Sequence, residues 1–425
     1  MDTEAPASPL PPSAAELLER ISASLLDAGV LAVGVCSVEV LGEARSVLER
    51  RRDAGLHGGM QFTYRNPERS TDPRRTLPGA RSAVVAAMPY RQHRTERPAG
   101  LQAEVARYAA EDTYGALRSA LDRVVGELRS AGHRGVVVVD DNALVDRAMA
   151  LRAGLGWIGR NSNLLVPGAG SWVVLGNVLT DADLPVARRF RDHPEPSANP
   201  GARVAADRRI QAGCGSCTRC IGECPTGAIV APGVLDPSRC ISWLLQRTGD
   251  FPREHRIALG ARIYGCDECQ STCPPSSAAP VREPAVEAVG IRGRTERATS
   301  HWVDLAALLE MDDEELIARF GAWYLPRRDP RYLRRNALVV LGNLAAGTRR
   351  APAGGEAAER ERARELLDRY LGDEDPLLVS HAAWAARRGG FEDLLHSDAH
   401  RRRPEVLAEL ARPLWSRDNG ADASA

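Results

Sequence analysis

The sequence predicts three parts in one chain: an α/β domain, a two-cluster ferredoxin-like module and an all-α, HEAT-like C-terminal domain. Three observations predict this. Helix-like and strand-like apolar patterns alternate through residues 13–185. Eight of the nine cysteines crowd between Cys214 and Cys273. Beyond residue 304 the apolar patterns are all helical and recur at similar length. A chain of 425 residues exceeds one typical domain, so several folding units are expected.

Residues 1–12 are rich in Pro, Ala and Ser and are expected to be disordered. Ser13 and Glu16 form a capping box ahead of Leu17, Leu18, Ile21, Leu25 and Leu26, a helical spacing. Strands are expected at Val30–Cys36, Ser82–Met88, Val136–Val139 and Trp172–Leu179, and helices at Val40–Arg52, Tyr114–Ser130 and Leu144–Ala153. That alternation argues an α/β domain over 13–185. Residues 186–212 read as a linker, with Pro, Gly and Arg and little periodicity. The cysteine module spans 213–280, closed by Pro274, Pro275, Pro280 and Pro284. Residues 281–415 are helical: Leu305–Phe320, Tyr332–Ala346, Glu356–Tyr370 and Pro376–Arg388 carry the i, i+3, i+4 pattern of a short, degenerate repeat. Residues 416–425 form a tail.

Acidic and basic residues balance at 56 each, so no global field favours nucleic acid and any basic surface must be local. Every basic residue is arginine, which excludes Schiff-base and lysine-base chemistry; a GC-rich coding bias explains it most simply. The N-terminal residues have neither a basic region followed by an apolar one nor a twin arginine, and no apolar run reaches ~18 residues. The expected location is cytoplasmic, away from any membrane. Clustered thiols in a reducing compartment mean metal or redox cofactor rather than disulfides.

The cysteines read Cys214-x2-Cys217-x2-Cys220-x3-Cys224-Pro225, then Cys240, then Cys266-x2-Cys269-x3-Cys273-Pro274. The first run is that of bacterial two-cluster ferredoxins, in which three cysteines hold one cube and the fourth reaches to the other. One [4Fe–4S] cluster then takes Cys214, Cys217, Cys220 and Cys273, and a second takes Cys224, Cys240, Cys266 and Cys269. Two zinc sites are the competing reading, but zinc favours separated ligand pairs and fits the triple run poorly. Cys36 is most simply a core thiol. Clusters only move electrons, so another part of the chain must receive them.

The densest constellation outside the cysteines covers residues 136–176. A strand ends in Asp140-Asp141, a helix carries Asp146 and Arg147, and a Gly-rich turn follows. Asp140 divides evenly between helix N-cap and functional carboxylate, and Asp146–Arg147 reads equally as an exposed helical pair. No GxGxxG or Walker A motif is present.

These segments resemble the epoxyqueuosine reductases, over residues 15–390. The resemblance rests on HGGM at His57–Met60, LPGARS at Leu77–Ser82, Asp140 with Asp146-Arg147, and AGLGWIGRNS at Ala153–Ser162. It continues through CPTGAI at Cys224–Ile229, RCISWL at Arg239–Leu244 and LRRNALVVLGN at Leu333–Asn343. It implies a cobalamin fed by the two clusters, and reduction of epoxyqueuosine to queuosine at wobble position 34 of the tRNAs for Asp, Asn, His and Tyr. It implies that Asp140 is the proton donor and contacts the cofactor. Arg160, Asn161, Ser162, Leu164 and Leu175 then line the corrin. The chain departs from the family at Arg107–Gly115, where Gly115 stands in place of a histidine, and at Arg160, where the family has lysine.

Arg327, Arg328, Arg331, Arg334 and Arg335 fall among Trp323, Tyr324 and Tyr332. Taken alone this is more often a solvated helix face; with the resemblance it implies contact to a tRNA anticodon stem-loop. A low-potential electron donor and a monomeric state complete the expectation. The rival readings are a dehalogenase-like cobalamin reductase of a small molecule, and a non-catalytic electron-transfer module.

Overall fold

The computed structural model describes residues 12–90, 93–191, 213–278, 300–347 and 356–413. The expected disorder before residue 12, the tail, most of the linker, Pro280 and Pro284 lie outside the described residues. The chain divides into two compact units, Met1–Arg94 with Arg107–Cys240 and Asp267–Thr299, and Thr95–Ala106 with Ile241–Cys266 and Ser300–Ala425.

The first unit is built on a five-stranded sheet, in the spatial order Gly135–Val139, Val173–Thr180, Ser82–Pro89, Ala32–Ser37 and Ala187–Phe190. Every pairing in it is antiparallel. The expected mixture of helices and strands is present, and the strand sense, which the alternation left open, is antiparallel with helices on the sheet's faces. Both faces are covered, so the central strand Ser82–Pro89 is buried at every position and shows no apolar–polar alternation. Val84, Ala86 and Met88 face a core with Leu17, Ile21 and Leu25 of helix Ala14–Asp27 and Leu117, Leu121 and Val124 of helix Thr113–Ser130. Val85 and Ala87 face the opposite core, with Leu144, Met149, Leu155 and Leu164. The Ser13–Glu16 capping box is present, with the Ser13 amide donating to Glu16 Oε2 at 2.8 Å.

Two boundaries move. Ala187–Phe190, at the start of the expected linker, is a sheet strand paired with Ala32–Val35. The cysteine module is not one body. Residues 213–240 and those from Asp267 belong to the first unit, whereas 241–266 belong to the second. Within the first unit the module is tied to the sheet: the Ser276 carbonyl accepts from Trp172 Nε1 at 2.9 Å, and Gln270 Nε2 donates to the Ser171 carbonyl at 3.0 Å.

The second unit draws Thr95–Ala106 out of the expected α/β range. Gln102–Val105 is the middle strand of a small sheet, parallel to Arg262–Tyr264 and antiparallel to Trp302–Asp304. The expected helix Leu305–Phe320 is two, Leu305–Glu310 and Asp313–Phe320. They are separated by an extended Met311 and restarted by an Asp312–Glu315 capping box. Helix Arg331–Ala345 packs on Pro376–Gly389 so closely that a Cβ on Gly342 would lie 2.7 Å from Ala385 Cα.

Arg335 lies on that helix and is fully buried, which removes it from any RNA-facing surface. Its guanidinium donates to the carbonyls of Arg247 (2.9 Å), Gly249 (2.5 Å), Leu244 (3.2 Å) and Leu245 (3.3 Å), and to Asn336 Oδ1. A guanidinium spent on four chain carbonyls braces the 241–266 segment and has none left for phosphate.

Candidate functional site

Strand Gly135–Val139 stops at Asp140, a non-glycine residue at φ +49°, a conformation that costs on the order of 1–3 kcal/mol and persists where the surroundings enforce it. Neither aspartate caps the helix: Asp141 Oδ1 accepts the Ala143 amide at 2.8 Å in the preceding turn, while helix Asp146–Arg152 begins after Val145 with no side-chain cap. The Asp140 carboxyl makes no hydrogen bond among the described residues. It is open to solvent yet crowded by protein. Burial and then the Asp141 charge raise its pKa, against a smaller pull from Arg118.

Asp146 is not an exposed helical partner. Its Oδ1 accepts from Asn177 Nδ2 at 2.7 Å, and Asn177 is fully buried in strand Val173–Thr180. Burial, then the nearby Asp140 charge, pushes the Asp146 carboxyl up to about 8. Asp140 thus disfavours the ionisation of Asp146, while its own shift comes from burial and Asp141. Sequence reasoning missed Asn177. Its signal was a lone amide inside the apolar run VVLGNVLT.

The turn after Gly159 connects this end of the sheet to the cysteines. Arg147 Nη1 donates to the Ser162 carbonyl at 3.1 Å, and Ser162 is itself at φ +63° with a buried hydroxyl that has no partner among the described residues. Arg160 Nη2 donates to the Gly215 carbonyl at 2.6 Å, inside the first cysteine run. Asn161 is buried and donates through Nδ2 to the Cys269 carbonyl at 3.0 Å. Arg160 and Asn161 are thus engaged with the cysteine segments. Leu164 packs inside the core and offers packing rather than open surface, and Leu175 sits at the edge of the same core.

Cys220, on the short helix Arg219–Gly222, has Cys273, Cys214 and Cys217 for neighbours. Burial and then those three charges push its thiol up to about 11. Cys273 is raised by burial and, in smaller part, by Cys214 and Cys217. Four neighbouring cysteines, two of them raised in this way, suit a multiply charged metal centre that would hold its ligands deprotonated. Cys224 Sγ accepts from the Ala228 amide at 3.1 Å. Cys36 is buried in the core, and burial pushes its thiol up to about 11.

In the second unit the arginine cluster separates. Arg331 pairs with Asp329 at 2.5 Å and Asp375 at 3.7 Å, and Arg334 with Asp313 at 2.5 Å. Both line a cavity of about 650 Å³ in which Glu310, Asp312, Asp313, Asp329, Asp373 and Asp375 outnumber the arginines. Arg327 and Arg328 are exposed, sit at φ +56° and +55°, and make no ion pair among the described residues. Tyr324, three residues earlier, is 58% exposed, whereas Trp323 and Tyr332 are buried, Trp323 stacking on Tyr264 with centroids 4.6 Å apart.

Comparison with known proteins places this geometry. Residues 213–276 match a 4Fe-4S double cluster binding domain, and residues 70–141 match the family described as epoxyqueuosine reductase QueG, DUF1730. The epoxyqueuosine reductase of Vibrio cholerae is 32% identical over 87% of this chain and 91% of its own length. A crystal structure of epoxyqueuosine reductase with an epoxyqueuosine-modified tRNA-Tyr stem loop superposes with a TM-score of 0.73, at 27% identity over 94% of this chain and 98% of that one. The Bacillus subtilis enzyme, in a structure with its catalytic aspartate loop swung out of the active site, has a TM-score of 0.73 at 26% identity over 94% of this chain and 97% of that one.

Proposed function

The chain belongs to the epoxyqueuosine reductase family, and on that premise we propose that it reduces epoxyqueuosine to queuosine at the wobble position of tRNA, with Asp140 as the proton donor. Two electrons and two protons convert the epoxide to the alkene and release its oxygen as water. The single observation that carries the assignment of the acid is the Asp140 carboxyl itself: strained in backbone, unbonded, and raised in pKa. A carboxyl that holds its proton nearer neutrality can deliver it to a departing oxygen.

The double-cluster match supports two [4Fe–4S] clusters. Cys214, Cys217, Cys220 and Cys273 are proposed to hold one, supported by their mutual proximity. Cys224, Cys240, Cys266 and Cys269 are proposed to hold the other, on their spacing. The turn that Arg147 ties to the Asp140 end of the sheet fits a cobalamin, since Ser162 Oγ there is a buried polar atom without a partner among the described residues. Bound there, reduced cobalamin would supply the electrons that open the epoxide. Ser162 and Leu175 would face it, while Arg160 and Asn161 hold the turn against the cysteine segments.

For the tRNA anticodon stem-loop the proposed contacts are Arg327 and Arg328 on phosphate, with Tyr324 as a stacking surface. Exposed guanidiniums without an ion pair among the described residues, beside an exposed ring, suit single-stranded RNA, whereas the ion-paired Arg331 and Arg334 do not. No helix among the described residues is long and apolar enough to cross a membrane. A cytoplasmic monomer drawing on a low-potential donor completes the proposal. Anaerobically purified protein should hold about eight irons and eight sulfides and change the absorption spectrum of added cobalamin. Two zincs, or no corrin binding, would contradict it.

A further inference from the structure

Within five residues the turn Gly159–Asn163 touches both cysteine segments of the first unit, and its side chains are arranged around Cys269. The Asn161 carboxamide is used at both ends. Nδ2 donates to the Cys269 carbonyl at 3.0 Å, and Oδ1 accepts the Asn163 amide at 3.1 Å. The Asn163 carbonyl in turn accepts the Gly159 amide at 2.8 Å, closing the turn. A Cβ on Gly159 would stand 2.8 Å from Asn161 Oδ1, so the glycine is what lets that carboxamide occupy its place. With both its backbone groups fixed, Asn163 directs Nδ2 to the sulfur of Cys269 at 4.0 Å, the reach of a long N–H···S hydrogen bond. The residues that follow, Leu164 and Leu165, are buried apolar side chains, so a half-buried carboxamide at 163 has no packing reason to be there.

We propose that Asn163 is a positioning residue for electron transfer: its carboxamide donates to the Cys269 sulfur and raises the reduction potential of the cluster that Cys269 holds. The inference rests on the reading of Cys269 as a cluster thiolate. A donor to a ligating sulfur withdraws electron density from the cluster and favours the reduced, more negative state. Arg160 makes no such contact: it reaches the Gly215 carbonyl in the other cysteine run, not a sulfur. The effect therefore falls on one cluster of the two. That cluster is the one whose ligand is joined, through Asn161, to the turn that leads back to Ser162 and Arg147 at the Asp140 end of the sheet.

The test is a redox titration followed by electron paramagnetic resonance on the full chain with both clusters loaded, comparing wild type with Asn163→Leu and Asn163→Asp. Both replacements keep the approximate size and remove the donor, and the second adds a negative charge. One of the two midpoint potentials should move to more negative values in Asn163→Leu and further in Asn163→Asp, while the other stays in place and iron content remains at the wild-type level. Unchanged potentials at full iron content would overturn the proposal. So would loss of the second cluster's iron in both variants, which would make Asn163 an assembly brace rather than a tuning donor. A wild-type protein that holds no second cluster would instead overturn the reading of the cysteines on which the proposal stands.

Discussion

At Asp140 and Asp146 the decisive property is position in the backbone rather than residue type. Two aspartates six positions apart look alike in the sequence, and either could cap a helix. The fold separates them: neither caps the helix, Asp140 is left strained and unbonded among the described residues, and Asp146 is held by Asn177. The strand and the carboxylate at its end were legible in the sequence. The Asn177 contact was not, because it joins residues 31 apart across a sheet whose order no local pattern reveals. The raised Asp146 carboxyl has a consequence for stability. Its folded pKa of about 8 exceeds the unfolded value of 3.8, so the folded state binds the extra proton between those limits. Stability from this group is therefore full below about pH 4 and falls as pH rises towards 8, by up to ~1.4 kcal/mol per pH unit. Asp146→Asn should flatten that decline in a denaturant series across pH 4–8; an unchanged slope would show that Asp146 is ionised throughout.

Among the elements, helix Arg331–Ala345 shows how composition misleads. Its start reads as an arginine-rich face, and the spacing of Arg327, Arg328, Arg331, Arg334 and Arg335 is compatible with one basic surface. The helix is instead buried along most of its length, so its face pattern sends Arg335 into the interior and pairs Arg331 and Arg334 with carboxylates that arrive from other elements. Arg335→Ala should destabilise the protein by about 3 kcal/mol or more, since it strands several buried carbonyls. Arg331→Ala, an exposed ion pair, should cost less than ~1 kcal/mol. Chemical denaturation measures both, and equal losses would refute the distinction. The pair before the helix behaves differently: Arg327→Ala and Arg328→Ala should each lower the log–log salt slope of stem-loop binding by about one, whereas Arg331→Ala should leave it unchanged. The periodic elements themselves were legible within a few residues. Ala187–Phe190 was not, because ARRF has no strand signature and becomes a strand through its pairing with Ala32–Val35.

For the whole molecule, the cysteine spacing fixed more of the account than any other feature, since ligand spacing is a local constraint that survives any change in topology. The partition into units was not legible. Thr95–Ala106 and Ile241–Cys266 each leave their sequence neighbours for the second unit, and no composition shift marks either departure. Nor did the alternation of helices and strands disclose an antiparallel sheet, because strands buried on both faces carry the same apolar runs in either sense.

The central claim is that this chain removes one oxygen from epoxyqueuosine in tRNA with Asp140 as the acid. The most direct measurement is mass spectrometry of nucleosides from tRNA carrying epoxyqueuosine, incubated anaerobically with the cluster-loaded, cobalamin-supplied enzyme and a low-potential reductant. Wild type should convert the nucleoside to one lighter by a single oxygen, and Asp140→Ala should do so at least ~10²-fold more slowly while keeping its iron and its corrin. An unaltered nucleoside with fully loaded wild type, or wild-type turnover by Asp140→Ala, would contradict the account.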